Sequence, residues 1–141
     1  MNLTMKIELV TLAVTDVDRA KDFYTSIGFE ADHDARPWDG IRYVQLTPPG
    51  SACSIAIGEG ITDAEPGKGA GILMVVDNIQ EAYEHLTSSG LTIDPPKDEG
   101  WGTFVYFADP DGNKWSCSSC PRSPSGDRRQ AGPGCRGGRN R

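Results

Sequence analysis

An α+β fold made of two tandem β-α-β-β-β units is what this sequence predicts, on three observations. Shifted by 62 positions without a gap, Leu9 to Ser54 resembles Gly71 to Ser116. Val14/Val76, Ala20/Ala82, Thr25/Thr87, Ser26/Ser88, Gly28/Gly90, Asp32/Asp94, Gly40/Gly102, Pro48/Pro110, Gly50/Gly112 and Ser54/Ser116 are identical. Each copy carries one segment of helical periodicity closed by a glycine, Gly28 or Gly90, followed by short extended runs. Each also has a turn before its last run, Thr47-Pro48-Pro49-Gly50 or Asp109-Pro110-Asp111-Gly112. A period this long is one supersecondary unit used twice. Two units that each leave an apolar face uncovered are expected to bury it against one another, so a site is expected where the copies meet.

The first copy opens with a strand over Glu8 to Val14. Thr15 with Asp18 three residues on resembles a capping box, which starts a helix at about Asp16. Val17, Ala20, Phe23, Tyr24 and Ile27 then recur at helical spacing up to Gly28. Extended segments are predicted near Phe29 to Ala35, Ile41 to Leu46 and Cys53 to Ile57. The second copy repeats the order: a strand over Ile72 to Val76, a helix from about Asn78 to Ser89, and strands near Leu91 to Ile93, Thr103 to Ala108 and Lys114 to Ser116.

With 141 residues the chain suits one compact domain, read as residues 1–116 with modules at about 6–58 and 70–116. The N-terminal apolar run Ile7 to Val14 lacks a basic leader and a small-residue cleavage site. It is also far short of the roughly 20 residues that span a bilayer, so no membrane contact is expected and the expected location is cytoplasmic.

Composition changes after Ser116. Six arginines (Arg122, Arg128, Arg129, Arg136, Arg139, Arg141) against Asp127 make the last 25 residues about +5 and the body about −11, within a net charge of −6. An acidic body is a poor electrostatic match for nucleic acid, and no nucleic-acid partner is expected. The Gly/Pro/Ser/Arg-rich tail has no periodic apolar residues to offset its ordering entropy and is expected to be disordered. Cys117-Ser118-Ser119-Cys120 has the spacing of a redox or zinc half-site, but a zinc site needs two more ligands and only Cys135 is near in sequence. A frameshift explains the tail better. Ser-Cys-Ser-Ser-Cys-Pro-Arg can be encoded so that the shifted frame reads Leu-Gln-Gln-Leu-Pro-Pro, a sensible strand end.

Two motifs, each at the right place in the repeat, carry a family resemblance. They are Val14-Thr15-Asp16-Val17-Asp18-Arg19-Ala20-Lys21-Asp22-Phe23-Tyr24 opening the first helix, and Phe107-Ala108-Asp109-Pro110-Asp111-Gly112-Asn113-Lys114-Trp115 before the last strand. With them, residues 6–116 resemble the vicinal oxygen chelate superfamily, also called the glyoxalase, bleomycin-resistance and extradiol-dioxygenase superfamily. The resemblance implies two βαβββ modules whose mostly antiparallel sheets form an open cup, usually completed by a homodimer. It also implies that metal-dependent members carry His or Glu on the first and fourth strands of each module. Those positions fall here on Leu9, Gly71, Ser54 and Ser116, none of which ligates a divalent cation well. No metal, other cofactor or catalytic residue is therefore assigned.

The other polar candidates have plainer readings. His33, between Asp32 and Asp34, is a candidate base or ligand contact but also suits a solvated strand edge, and His85 suits a helix surface. Cys53 lies in a strand with no nearby base and reads as a packed thiol. The aromatics stand out instead. Strand alternation sends Phe104 and Tyr106 to one face and Phe107 to the other. Trp38 and Trp101 sit in polar Gly/Asp/Pro settings at nearly equivalent places in the two copies, where a flat ring is suited to stacking on a planar ligand. The candidate ligand-binding set is Thr11, Trp38, Arg42, Tyr43, Gln45, Ser54, Trp101, Phe104 and Tyr106. This reading favours a metal-free, antibiotic-type binding protein acting by sequestration on an aromatic or cationic small molecule. The competing classes are an enzyme, either a lyase, isomerase or dioxygenase with unrecognised ligands or a metal-free catalyst using His33, and a small-molecule sensor.

Overall fold

A computed structural model describes residues 3–69 and 71–119. Cys120, Cys135 and the arginine-rich tail lie outside the described residues, and with them the zinc or redox half-site and most of the frameshift reading. No helix among the described residues is long and apolar enough to cross a membrane.

The strand-helix-strand-strand-strand order occurs twice, as the repeat predicts. The first copy consists of β1 (Leu9–Thr11), α1 (Val17–Ser26), β2 (Glu30–Ala35), β3 (Arg42–Thr47) and β4 (Ser54–Glu59). The second consists of β5 (Ile72–Val76), α2 (Ile79–Ser88), β6 (Lys97–Asp98), β7 (Thr103–Ala108) and β8 (Lys114–Ser119). Each copy forms its own four-stranded mixed sheet, in the orders β1-β4-β3-β2 and β5-β8-β7-β6. Contacts divide the chain into two compact units along the same line, except that Ala108–Asn113, the turn before β8, belongs to the first unit.

The first unit is built around α1. Asp16 is its N-cap, accepting from the Arg19 N–H at 3.0 Å. The cap is thus one residue later than the Thr15/Asp18 box predicts, because Thr15 donates its hydroxyl and its N–H to Asp111 at 2.6 and 3.1 Å. At the other end Gly28 takes φ 109°. Gly28 N–H donates to the Thr25 carbonyl and Phe29 N–H to the Tyr24 carbonyl, at 3.1 and 3.0 Å, which closes a Schellman motif. The α2 terminus repeats it: Gly90 has φ 106°, and Gly90 and Leu91 donate to Thr87 and Leu86 at 3.1 and 3.2 Å. The conserved spacing of the two glycines within the repeat is this left-handed position used twice.

Helix α1 packs on β3 and β4, burying Val17, Ala20 and Tyr24 with Val44, Leu46, Ile55 and Ile57. The Ala108–Asn113 turn is fastened to this core by buried polar bonds. Tyr24 hydroxyl donates to Asp109 at 2.7 Å, and the Asn113 amide donates to the Ala13 carbonyl and to Asp109 at 2.9 and 2.8 Å. Gly58 marks a close approach of β3 and β4, where a Cβ would sit 1.9 Å from the Arg42 carbonyl oxygen.

In the second unit α2 packs on β8 and buries Leu86. Phe107 and Trp115 stack at 5.8 Å and are buried with Val105 and Cys117. Three expectations are corrected here. No strand forms at Leu91 to Ile93, and β6 begins only at Lys97, because Pro95 and Pro96 supply no N–H to a ladder. β1 spans three residues rather than the seven predicted, and β8 runs to Ser119, three residues past the expected end.

Candidate functional site

On β3, Arg42, Val44 and Leu46 are buried on the side of α1, while Tyr43, Gln45 and Thr47 alternate onto the other face. Pairing sets a row across that second face: Thr11 opposite Ala56, Ala56 opposite Gln45, and Gln45 opposite His33. The structure therefore brings Thr11, Tyr43, Gln45 and Ser54 onto one surface of the first unit. Tyr43 hydroxyl donates to Gln45 Oε1 at 2.9 Å. Ser54 is buried, with its hydroxyl 2.6 Å from that of Thr47, which in turn donates to Asp32.

Arg42 does not join them. Its guanidinium lies on the α1 side, Nε and Nη2 donating to Asp34 at 3.1 and 2.9 Å and Nη1 to Asp18 at 2.8 Å. Lys21 also reaches Asp34, at 2.9 Å. The hydrogen bonds from Arg42, then those from Lys21, hold the Asp34 carboxyl well below the usual carboxylate range. Arg42, expected as a ligand contact, instead ties β3 to β2 and α1. Trp38 stands on the β2–β3 loop at a turn closed by Ile41 N–H to the Trp38 carbonyl, and its ring is 73% exposed.

The second unit gathers the remaining three. Trp101 meets Phe104 edge-on at 6.4 Å, and Phe104 stacks on Tyr106 at 6.0 Å with planes 11° apart. This ladder lies on the face opposite Phe107 and Trp115, with Trp101 62% and Tyr106 47% exposed. A tight hairpin holds Trp101 in place. Glu99 N–H donates to the Gly102 carbonyl at 2.9 Å, Gly100 N–H to Asp98 at 2.8 Å, and Gly100 takes φ 92°. At Gly102 a Cβ would come within 3.3 Å of the Phe104 ring, which would have to give by a few tenths of an ångström.

Sequence reasoning missed three members of this surface. Leu73 and Val75 pair with Ser116 and Ser118, and Ser118 lies with Phe104 beside Gly102, so both apolar side chains share the ladder's face and are exposed. Their run, Ile72 to Val76, is continuously apolar and reads as buried on both sides. Glu99 accepts from the Tyr106 hydroxyl at 3.1 Å. Desolvation first, and then this carboxylate, push the Tyr106 phenol up, so it is a protonated donor at neutral pH.

The four positions that the resemblance marks as metal-ligating, Leu9, Ser54, Gly71 and Ser116, carry no imidazole or carboxylate. In the first unit Leu9 pairs with Ser54, as the repeat implies, but in the second Ser116 pairs with Leu73 rather than Gly71. The two-residue offset sets Leu73, which has no ligating atom, where the repeat places Gly71, which has no side chain. Among the described residues no three His, Cys, Asp or Glu side chains gather to hold an ion. What the exposed surface offers is a stacking platform with a phenol donor, and among the described residues no nucleophile is hydrogen-bonded to a base on it.

Residues 6–117 match the family model of the Glyoxalase/Bleomycin resistance protein/Dioxygenase superfamily. The uncharacterized protein YetH of Bacillus subtilis (strain 168) is 30% identical over 113 residues, 77% of this chain and 92% of that protein. Among solved structures, TnmS3, an antibiotic binding protein from Streptomyces sp. CB03234, is 29% identical with a TM-score of 0.74, over 84% of this chain and 98% of its own. A superfamily member from Sphaerobacter thermophilus DSM 20745 is 30% identical with a TM-score of 0.71, over 82% and 98%.

Proposed function

The chain belongs to the glyoxalase/bleomycin resistance protein/dioxygenase superfamily, and within it we propose a metal-free small-molecule binding protein that acts in the cytoplasm as a homodimer by sequestering its ligand. The ligand is a flat aromatic molecule, and a cationic one suits the chain's net charge of −6. The observation that carries this reading is the Trp101–Phe104–Tyr106 ladder, which presents aromatic area in a fixed geometry without a reactive group beside it. Stacking prefers offset or edge-on rings 4.5–7 Å apart, and the 6.0 and 6.4 Å spacings within the ladder lie in that range, which supports the reading. In the first unit Trp38 is a further exposed indole suited to stacking, and Thr11, Tyr43, Gln45 and Ser54 are further candidate polar contacts. The likeness to an antibiotic binding protein supports the same class of ligand.

A thermal-shift screen of planar aromatic antibiotics, cationic and neutral, tests the reading. At least one cationic compound should raise the melting temperature with no product formed on prolonged incubation. Turnover of a bound compound, or no stabilisation by any of them, would count against sequestration.

A further inference from the structure

We propose that Glu99 is the charge-selecting residue of the aromatic ladder, holding the protonated nitrogen of a flat ligand between its carboxylate and the Tyr106 phenol oxygen. This selection rests on the binding reading above and deepens it: the ladder offers area to any planar ring, and Glu99 decides which rings are kept.

The β6–β7 hairpin places the group. Lys97 pairs with Phe104, so its side chain shares the ladder's face, and Glu99, two residues on, returns to that face. There Glu99 Oε1 accepts from the Tyr106 hydroxyl at 3.1 Å. The Glu99 N–H donates to the Gly102 carbonyl at 2.9 Å, so the backbone holds this position whatever the side chain is. A ring laid on the exposed face of Tyr106 brings its edge to the phenol oxygen, and the carboxylate lies one hydrogen bond further on.

Hydrogen bonding at this corner is one-sided. A phenol has a single proton, and Tyr106 gives it to Glu99. Desolvation, and then the carboxylate, keep that proton on the phenol. What remains for a ligand is the lone pairs of the phenol and of the carboxylate, which are acceptors only. A ligand that reaches this corner must bring donors, and a charged donor gains most, since charge-assisted hydrogen bonds are about twice as strong as neutral ones. A negatively charged ring meets like charge here and is turned away.

Lys97 is the ligand's competitor. Its Nζ stands 3.5 Å from the same Oε1, long for a hydrogen bond. The lysine side chain is 70% exposed and that of Glu99 only 21%, so the cation is largely solvated while the carboxylate is partly shielded. A solvated lysine gives up such a contact at little cost. A ring that covers Glu99 also excludes water from it, which strengthens the attraction to the ring's own charge. Glu99 and Lys97 therefore act on a cationic ligand with opposite signs, which a purely structural role in the hairpin does not produce.

The test uses two planar three-ring probes of similar outline, proflavine, a cation at neutral pH, and acridone, which is neutral, each titrated by fluorescence against the full chain. The wild type should prefer proflavine. Glu99→Gln, which keeps the side-chain length and removes the charge, should lower that preference at least about fivefold. Glu99→Asp, which keeps the charge, should lose less of it, and Lys97→Gln should raise it about twofold. A preference that Glu99→Gln leaves as it is, or that Lys97→Gln lowers, overturns the selection. So does a Glu99→Gln chain that loses both probes alike, since Glu99 then only supports the ladder. Acridone bound by the wild type in any of these cases leaves the ladder standing without its selector, whereas binding of neither probe overturns both.

Discussion

Replacing Tyr24 with Phe removes one hydroxyl and nothing else from the first unit, so its cost can be worked from the geometry. The ring is fully buried, edge-on to Phe23 at 5.1 Å and against Phe29 at 5.2 Å, and Phe would keep those contacts. What is lost is the 2.7 Å hydrogen bond to Asp109. A hydrogen bond to a charged group is worth about 1.5–3 kcal/mol. Asp109 keeps three donors, the Asn113 amide and N–H at 2.8 Å each and the Asp111 N–H at 3.0 Å, so its carboxylate is not orphaned. The loss therefore falls at the low end, about 1.5 kcal/mol, which lowers the melting temperature of a domain this size by about 6 °C. Calorimetry of the wild type, Tyr24→Phe and Tyr24→Ala measures it, the last losing about 3–5 kcal/mol through the cavity as well. A Tyr24→Phe melting temperature equal to the wild type's would refute the claim that this bond fastens the Asp109 turn to α1.

Acid should act through Asp34. Its depressed carboxyl contributes stability above the unfolded value of about 3.9, and that contribution is lost as pH falls below about 4 toward the folded value. Arg42→Met should thus lose about 1–2 kcal/mol at pH 7 by urea titration, a figure kept small for a partly exposed pair, and the gap to the wild type should narrow at pH 3; an unchanged gap contradicts the pairing. Burial pushes the Cys117 thiol up to about 11, so it should resist alkylation at pH 8 until the chain unfolds, and stability should fall as pH rises past the unfolded thiol value of about 8.5. Mass spectrometry showing Cys117 alkylated as fast in native as in denatured protein would place it at the surface. Chelators should leave the melting temperature unchanged and elemental analysis should find no stoichiometric transition metal; one zinc, nickel, iron or manganese per chain would displace the metal-free proposal.

Much of the architecture was legible because the repeat preserves positions with a backbone duty. Gly28 and Gly90 close the same Schellman motif, and the Asp109 to Gly112 turn forms where its residue types require. The departures are local. Pro95 and Pro96 stand where the first copy carries His33 and Asp34, and without N–H groups they delay the second copy's edge strand to Lys97. The gapless alignment also hides the two-residue offset between β5 and β8, since strand period two keeps the same face. The candidate site was legible where alternation and a polar setting singled out Trp101, Phe104 and Tyr106. It was not legible at Arg42, whose direction depends on Asp18 and Asp34 arriving from two other elements. Leu73 and Val75 were hidden too, since an apolar run says nothing of which face lacks a cover.

The central claim, that the aromatic ladder binds a planar molecule, is tested most directly by calorimetric titration of a compound that the screen finds. Wild type, Trp101→Ala and Trp38→Ala are compared. Ring stacking is worth about 0.5–1.5 kcal/mol beyond buried area, so Trp101→Ala should weaken binding about two- to twelvefold while its melting temperature stays within about 2 °C of the wild type. Trp38→Ala, in the other unit, is the comparison that shows whether any loss is specific to the ladder. Trp101→Ala binding with wild-type affinity would contradict the account and place the ligand elsewhere on the chain.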